Sequence, residues 1–140
     1  EMADYPLGLD GKGKPGGRVR VLESTKGDGK YDKSTVFLDN IPFPTGVMPW
    51  RKGVLITAAP ALLYAEDTDG DGKADRVTVF ADKVCAPQGM TFVGDTLYVV
   101  NAPYLTALVV SSWTASVIAS DRVGGSRTGG PLSVKRPSPA

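Results

Sequence analysis

The sequence contains no histidine and only one cysteine among its 140 residues. Without histidine the chain cannot form a Ser-His-Asp triad, a histidine-ligated zinc site or a Cys-x-x-Cys-His haem attachment. The single cysteine, Cys85, excludes an internal disulfide. Because Lys83 is its one basic neighbour in the sequence, we expect Cys85 to be a small buried side chain and not a reactive thiol.

Long apolar runs and clustered charge are also missing. The longest apolar stretch, LTALVVSSWTASVIA (105–119), is too short and too rich in serine and threonine for a membrane-spanning helix. No signal peptide is visible. A net charge of +1 without a clustered basic face argues against nucleic-acid binding. By contrast, the 17 glycines and 11 prolines favour short strands and turns.

The chain carries an internal repeat with a period of 43 residues. ESTKGDGKYDKSTVF (23–37) aligns with EDTDGDGKADRVTVF (66–80), and most positions are identical. The alignment continues without a gap from PTGVMPWRKGVLITAAP (44–60) to PQGMTFVGDTLYVVNAP (87–103). An ungapped match over about 40 residues indicates a repeated structural unit.

Each unit contains four strand-like segments. Residues 44–60 and residues 87–103 both follow the pattern of strand, tight turn and strand. The segments ALLYAED and RVTVFAD add two strands joined by an acidic loop. Since a four-stranded unit of about 40–45 residues is typical of a β-propeller blade, we predict an all-β fold of about two blades in an incomplete ring. A β-sandwich is the alternative, but it does not require an ungapped repeat.

The sequence divides near residue 105. Residues 1–105 are predicted to form a partial β-propeller, in which EMADYP (1–6) ends an earlier strand and a Gly/Lys-rich insertion (8–18) follows. A third acidic loop is expected near residues 110–118, but the chain reads VSSWTASVI in that region. Residues 106–140 are therefore interpreted as a nonconforming tail that is either disordered or read in a shifted frame.

The second acidic loop, EDTDGDGKAD (66–75), has the spacing of a calcium-binding loop. Counted from Asp67, carboxylates occupy positions 1, 3, 5 and 9, glycine occupies position 6, and position 7 offers a backbone carbonyl. Position 12 is Thr78 instead of the glutamate of an EF-hand, and the flanks are strands. We therefore predict a weak Ca²⁺ site on a β-hairpin, with ligands from Asp67, Asp69, Asp71, Lys73 and Asp75. A tight turn without metal is the alternative, although four crowded carboxylates repel one another.

The first acidic loop is a reduced copy of the second. Ser24 and Lys26 replace the first two carboxylates, and Asp28 and Asp32 are retained. We expect the ammonium group of Lys26 to neutralise these carboxylates in place of a metal. Ca²⁺ binding is therefore predicted for the second loop and not for the first.

Three further side chains invite a functional reading. Trp50, beside Arg51, is expected to pack between blades, with ligand contact at a blade rim as the alternative. Asp39 and Asp82 follow equivalent strands and are expected to be turn residues, because neither has a second carboxylate for acid–base work.

The sequence resembles the N-terminal propeller of PVC-type membrane-bound dehydrogenase-like proteins. The segments that carry the resemblance are EMADYPLGLDGKGKPGGRVRVLE, VFLDNIPFPTGVMPWRKGVLITAAP and EDTDGDGKADRVTVF, and it covers residues 1–105. That propeller is similar to the glucose and sorbosone dehydrogenases that use pyrroloquinoline quinone (PQQ). The resemblance implies a secreted or periplasmic location and a parent of six or seven blades, often followed by helical repeats and a cytochrome domain.

The chain departs from this family pattern in ways that bear on activity. It holds about two blades, and it lacks both the haem motif and the histidine that quinone-dependent sugar dehydrogenases use in catalysis. No catalytic or cofactor-binding residue is therefore assigned, and PQQ is expected only in a full-length parent.

Three functional hypotheses follow from the sequence. The first is a fragment of an exported, calcium-stabilised dehydrogenase-like propeller that is not catalytic alone and whose partners are the rest of the propeller and the parent's other domains. The second is a non-catalytic module that binds carbohydrate or protein. The third is an inactive pseudogene product, because two open blades leave exposed strand edges and a small core.

Overall fold

The computed structural model describes residue 1, residues 15–111 and residues 114–122. All regular secondary structure in these residues is β-strand, which confirms the all-β prediction for the described part of the chain. The strands are β1 (Gly17–Glu23), β2 (Lys33–Ile41), β3 (Pro44–Trp50), β4 (Gly53–Ala58), β5 (Ala61–Glu66), β6 (Arg76–Ala81), β7 (Pro87–Val93), β8 (Thr96–Asn101), β9 (Tyr104–Ser111) and β10 (Thr114–Arg122).

The strands form three antiparallel sheets that follow one another along the chain. Sheet 1 contains β1 and β2, sheet 2 contains β3 to β6, and sheet 3 contains β7 to β10. Within each sheet every strand pairs with its neighbour in sequence, so all connections are local. Among the described residues, no helix is long and apolar enough to cross a membrane.

The 43-residue repeat of the sequence is reproduced by the strands. The bounds of β3 and β4 lie 43 residues before those of β7 and β8. The pairing register repeats as well, because Arg20 pairs with Val36 and Leu63 pairs with Val79, with a 43-residue shift on both strands. Sheet 1 therefore corresponds to the outer pair of strands, β5 and β6, of sheet 2.

The boundary predicted at residue 105 falls inside β9. This strand pairs with β8 on one side and with β10 on the other, so regular structure continues to Arg122. Many residues of these two strands are β-branched or small, a composition that suits a strand better than a disordered tail. Residues 123–140 of the predicted tail lie outside the described residues.

The larger core lies between sheets 2 and 3. Its centre contains four leucines that are almost completely buried, namely Leu55 from β4, Leu62 from β5, Leu97 from β8 and Leu108 from β9. Tyr64, Val84 and Val99 complete the buried cluster. Because both sheets contribute to one continuous apolar cluster, we expect them to unfold together.

A smaller core lies between sheets 1 and 2. Phe37 and Ile41 from sheet 1 pack against Ile56, Ala58 and Ala65 from sheet 2. Successive residues of β4 point to opposite faces of the sheet, so Leu55 enters the larger core and its neighbour Ile56 enters the smaller one. Sheet 2 is therefore covered on both faces.

Trp50 packs between sheets 2 and 3. Its ring lies 5.4 Å from Tyr64 and 5.3 Å from Phe80 in edge-to-face geometry, and it stacks on Phe92 of sheet 3 at 6.1 Å. The guanidinium carbon of Arg51 lies 4.5 Å from the centre of the indole ring. The expectation that Trp50 packs between the repeated units is confirmed by these contacts.

A glycine is required where β4 begins. A Cβ atom on Gly53 would lie 2.2 Å from the Ala65 carbonyl oxygen and 2.9 Å from the Tyr64 ring. We expect Gly53→Ala to lower the free energy of unfolding by about 1–3 kcal/mol, since the backbone of β5 must shift to admit the methyl group. Urea denaturation measures the loss. Gly89→Ala is the matched control, because a Cβ there meets no described atom within 4 Å, and an equal loss in both variants would contradict the argument.

Candidate metal site

Two equivalent loops connect the outer strands of sheets 1 and 2. Residues 24–32 join β1 to β2, and residues 67–75 join β5 to β6. Each loop is closed by the same backbone hydrogen bond at its base, which the Asp32 N–H donates to the Glu23 carbonyl (3.0 Å) and the Asp75 N–H donates to the Glu66 carbonyl (3.1 Å). The two loops therefore begin and end in the same way.

Both loops turn at two glycines with positive φ. In the first loop φ is 66° at Gly27 and 79° at Gly29, and in the second loop it is 83° at Gly70 and 86° at Gly72. Residues with a Cβ rarely adopt these angles, which explains why the Gly-Asp-Gly sequence occurs in both loops. The repeated sequence thus produces a repeated backbone path.

A threonine and an aspartate close each loop from within. Thr25 donates from its backbone N–H (2.8 Å) and from its hydroxyl (2.6 Å) to the two carboxylate oxygens of Asp32. Thr68 donates to Asp75 in the same two ways, at 3.2 Å and 2.5 Å. These bonds hold the last carboxylate of each loop against the start of the loop.

The second loop brings three carboxylates together. Ligand atoms from Asp67, Asp69 and Asp71 all lie within 4.8 Å of one another, at the solvent-facing end of the hairpin. The two oxygens of Asp67 accept hydrogen bonds from the backbone N–H groups of Gly70 (2.7 Å) and Gly72 (2.9 Å). Asp67 therefore orients the turn around which the other two carboxylates are arranged.

The other two carboxylates are fixed by the backbone that follows them. Asp69 accepts from the N–H of Asp71 at 3.1 Å, and Asp71 accepts from the N–H of Lys73 at 2.8 Å. Each of these bonds spans two residues, the geometry of an Asx-turn. All three carboxylates keep oxygen lone pairs free for a cation, because an ionised carboxylate has about four acceptor positions.

The structure separates the five predicted ligands into two groups. Asp67, Asp69 and Asp71 converge, whereas both oxygens of Asp75 are engaged by Thr68 and Asp75 is not part of the convergent group. Lys73 contributes its N–H to Asp71, and coordination by its carbonyl stays a prediction. The Thr-Asp pair was visible in the sequence, since it is retained in the first loop where two other carboxylates are replaced.

At the positions equivalent to Asp67, Asp69 and Asp71, the first loop holds a single carboxylate, Asp28. Asp28 accepts hydrogen bonds from the Ser24 hydroxyl (3.3 Å) and the Lys30 N–H (2.9 Å). Lys26 makes no salt bridge within the described part of the chain, so neutralisation by its ammonium group is not supported by a direct contact. Both hydrogen bonds to Asp28 are accepted by the same oxygen, and no second carboxylate at the equivalent positions converges with it.

Hydrogen bonds shift the pKa of two loop carboxyls. The N–H groups of Gly70 and Gly72 lower the pKa of Asp67 below its ordinary value of 3.8, and the Thr25 hydroxyl and N–H lower the pKa of Asp32 in the same way. A depressed pKa in the folded state means that the stabilisation is present above the unfolded pKa and is lost as the pH falls through the folded pKa. Both loops are therefore expected to weaken below about pH 4.

Removal of the Thr25 hydroxyl tests whether its hydrogen bond lowers the pKa of Asp32. We expect Thr25→Val to raise the pKa of Asp32 toward 3.8, because the side-chain hydrogen bond from Thr25 is the largest cause of the shift. A carbon-detected NMR titration of the aspartate carboxyl groups measures both sites in one experiment. The pKa of Asp67 serves as the internal control and should not change, and an unchanged pKa for Asp32 would contradict the assignment.

The second loop also contacts the neighbouring sheet. The N–H of Ala74 donates to the carbonyl of Phe37 in β2 at 2.7 Å, and the Ala74 side chain packs against the smaller core. The equivalent residue of the first loop, Tyr31, is 71% exposed. Loop 67–75 therefore links sheet 2 to sheet 1, and this link could not be read from the loop sequence.

The expectations for Cys85, Asp39 and Asp82 have different outcomes. Cys85 is exposed in the segment after β6, so the expectation of a buried cysteine is wrong. The buried position of that segment is the preceding residue, Val84, which enters the larger core. Asp82 is exposed directly after β6, in a connecting segment. Asp39 instead lies within β2, where it accepts a hydrogen bond from the Asn40 N–H at 2.9 Å and lies 3.5 Å from Nε of Arg18, so the expectation of a turn residue is wrong for Asp39.

Together the fold and the loop define an all-β repeat protein of stacked antiparallel sheets with an acidic loop at its edge. The chain belongs to the family described as a domain of unknown function, DUF7133, whose model matches residues 1–78 and 66–110. The two matched ranges overlap across the acidic loop. No curated protein and no solved structure matches the chain.

Proposed function

We propose that this chain is a calcium-stabilised segment of a β-propeller and that it is not catalytic by itself. The propeller part of the proposal is supported by the repeated architecture. Four-stranded antiparallel sheets that follow one another every 43 residues and pack face to face have the arrangement of consecutive blades. Propellers typically close with about 4–8 blades, so the described sheets account for part of a ring.

The calcium part of the proposal is supported by the chemistry of the acidic loop. Ca²⁺ prefers oxygen ligands and tolerates irregular geometry, and the cluster of Asp67, Asp69 and Asp71 offers carboxylate oxygens at short range. The carbonyl of Lys73 would be a further ligand. Because the bidentate glutamate of an EF-hand is missing, we expect a dissociation constant of roughly 10⁻⁴–10⁻³ M, the range of extracellular modules.

The role of the cation in this proposal is structural. The observation that carries it is the position of the acidic cluster on a loop whose Ala74 N–H is bonded to Phe37 of the next sheet. A cation that draws the three carboxylates together would order loop 67–75 and would thereby favour the contact between sheets 1 and 2. Ca²⁺ binding is thus expected to stabilise the stack of sheets.

Calorimetric titration with CaCl₂ tests the proposal, together with thermal unfolding at increasing Ca²⁺ concentration. At a free Ca²⁺ concentration tenfold above the dissociation constant, mass action predicts about 1.4 kcal/mol of added stability. MgCl₂ is the matched control, because Mg²⁺ demands near-octahedral geometry and gives up its water reluctantly. The absence of both binding heat and stabilisation with Ca²⁺ would refute the calcium site.

The activity that we propose for the full-length parent protein is based on the resemblance to dehydrogenase-like propellers. In this proposal the full-length parent is exported and oxidises a sugar or alcohol, with PQQ bound in the complete ring. We expect this chain alone to reduce no electron-accepting dye when a sugar and PQQ are supplied. Dye reduction that depends on both additions would show that the described sheets already contain a catalytic centre.

A further inference from the structure

The two acidic loops repeat a short sequence that contains an Asp-Gly pair. Residues 27–30 and residues 70–73 both read Gly-Asp-Gly-Lys, so Asp28 and Asp71 have the same neighbours on both sides. Asp69, which also precedes a glycine, forms a third Asp-Gly pair. In an unfolded chain Asp28 and Asp71 should therefore react at nearly the same rate. A large difference between them in the folded chain must come from the fold.

An Asp-Gly peptide rearranges without an enzyme. The backbone nitrogen of the glycine attacks the side-chain carboxyl carbon of the aspartate, and a C–N bond forms while the C–OH bond of the carboxyl group breaks. The hydroxyl and the amide proton leave as one water, and the product is a five-membered succinimide. Water then adds to the ring at the former backbone carbonyl, which gives isoaspartate. Glycine favours the reaction because it has no Cβ to hinder the approach.

The three Asp-Gly pairs share their local geometry. Each aspartate accepts a hydrogen bond from the backbone N–H two residues ahead, at 2.9 Å for Asp28, 3.1 Å for Asp69 and 2.8 Å for Asp71. This Asx-turn folds the side chain over the peptide bond that follows the aspartate. The glycine that follows has a positive φ in all three cases. The conformation of the reacting groups therefore does not distinguish the pairs.

The pairs differ in the hydrogen bond that the glycine N–H donates. In the second loop Asp67 accepts both of these N–H groups, from Gly70 at 2.7 Å and from Gly72 at 2.9 Å. In the first loop Ser24 occupies the position equivalent to Asp67, and its hydroxyl donates to a carboxylate. The Gly29 N–H meets no hydrogen-bond acceptor in the part of the chain that the structure describes. The attacking nitrogen is thus held in the second loop and free in the first.

Solvent exposure alone does not produce this difference. Asp28 and Gly29 are exposed, and so are Asp69 and Gly70 of the second loop. The bond from the Gly70 N–H to Asp67 has an ionised acceptor and belongs to the stronger class of hydrogen bonds. It must break before the nitrogen can lose its proton and attack. The hydrogen bond is therefore the feature that separates two equally exposed pairs.

We propose that Asp28 is a modification site, at which aspartate converts to isoaspartate through a succinimide with Gly29, and that Asp67 protects the Asp-Gly pairs of the second loop from the same reaction. Isoaspartate at position 28 makes the main chain one methylene longer inside a tight turn. The first loop therefore loosens with time, whereas the carboxylates of the second loop stay in place. This role of Asp67 is separate from Ca²⁺ binding, because it depends only on the two N–H groups that Asp67 accepts.

Ageing of the full chain at a temperature below its unfolding transition tests the proposal. A chelator is present throughout, so the result does not depend on Ca²⁺. Peptide mapping by chromatography and mass spectrometry measures isoaspartate at each site, since an isoaspartyl peptide keeps its mass but changes its retention. We expect isoaspartate to form at Asp28 roughly tenfold faster than at Asp71, because a bond to a charged acceptor must break first at Asp71. In urea, where the loops are unfolded, the two rates should agree within about twofold.

Exchange of the residues at positions 24 and 67 tests the protective role directly. Ser24→Asp gives the first loop the carboxylate acceptor that it lacks and should slow isomerisation at Asp28 roughly tenfold. Asp67→Ser gives the second loop the serine of the first and should speed isomerisation at Asp71. Lys26→Gln is the control in the first loop, because Lys26 makes no salt bridge within the described residues, and it should change the rate at Asp28 less than about twofold.

Three results would overturn the proposal. The first is equal formation of isoaspartate at Asp28 and Asp71 in the folded chain. The second is a difference of the same size in urea, which would assign the cause to the sequence and not to the fold. The third is an unchanged rate at Asp28 in Ser24→Asp when the circular dichroism of this variant matches that of the unmodified chain. The first two comparisons use the unmodified chain, so they do not depend on the folding of a variant.

Discussion

Asp67→Asn is expected to abolish the rise in melting temperature that we predict Ca²⁺ to produce in the unmodified chain. Asp67 is the carboxylate around which the acidic loop turns, because its two oxygens accept the N–H groups of Gly70 and Gly72. Asparagine preserves the shape of the side chain but removes its charge. Affinity for Ca²⁺ depends on the number of charged ligands, so we expect the dissociation constant to rise tenfold or more, as estimated from ligand charge count.

Asp75→Asn provides the matched comparison for this prediction. Asp75 lies in the same loop and is held by Thr68, but it is not part of the convergent group of Asp67, Asp69 and Asp71. We expect this variant to lower the stability of the loop while Ca²⁺ binding measured by calorimetry stays close to that of the unmodified chain. If Asp75→Asn weakened Ca²⁺ binding as strongly as Asp67→Asn, Asp75 would be a ligand and the hydrogen bonds to Thr68 would have to break on binding.

The second large effect is expected in the core. Leu55→Ala should lower the free energy of unfolding by about 2–5 kcal/mol, because it removes a wholly buried side chain between sheets 2 and 3 and leaves a cavity. Urea denaturation followed by tryptophan fluorescence measures this loss, since Trp50 lies in the same core. Val47→Ala is the control on the neighbouring strand, where the side chain is 55% exposed and the expected change is within about 0.5 kcal/mol.

The shape of the unfolding transition carries additional information. Leu55 of sheet 2 and Leu97 of sheet 3 belong to one buried cluster, so both sheets should unfold in a single transition. Two separate transitions, of which only one is shifted by Leu55→Ala, would show that the sheets are independent units. Such a result would also weaken the propeller proposal, in which neighbouring blades stabilise one another.

The two loops illustrate how a repeat can keep a backbone while its chemistry changes. Both retain the positive-φ glycines and the Thr-Asp pair that closes the loop. The second loop adds the carboxylates of Asp67 and Asp69 and docks on sheet 1 through Ala74, whereas the equivalent Tyr31 stays exposed. The proposed metal site and the hydrogen bond between sheets 1 and 2 therefore occur in the same loop, residues 67–75.

Features that depend on local order along the chain could be predicted from the sequence alone. The period of 43 residues, the strands of sheet 2 and the hairpin of sheet 3 follow from alternating apolar residues and from glycine at the turns. Convergence of Asp67, Asp69 and Asp71 also followed from their spacing, because alternate residues in a tight loop bring their carboxylates to the same side. These properties depend on interactions between residues that are close together in the sequence.

Other features were decided only by contacts between sheets or across a loop. Thr68 binds Asp75 and so keeps that carboxylate out of the acidic cluster, and Cys85 is exposed because Val84 takes the buried position beside it. The bond from Ala74 to Phe37 depends on how separate sheets pack. A sequence pattern specifies which residues alternate along a strand, but the partner that each exposed group meets is specified by packing between elements that are distant in the chain.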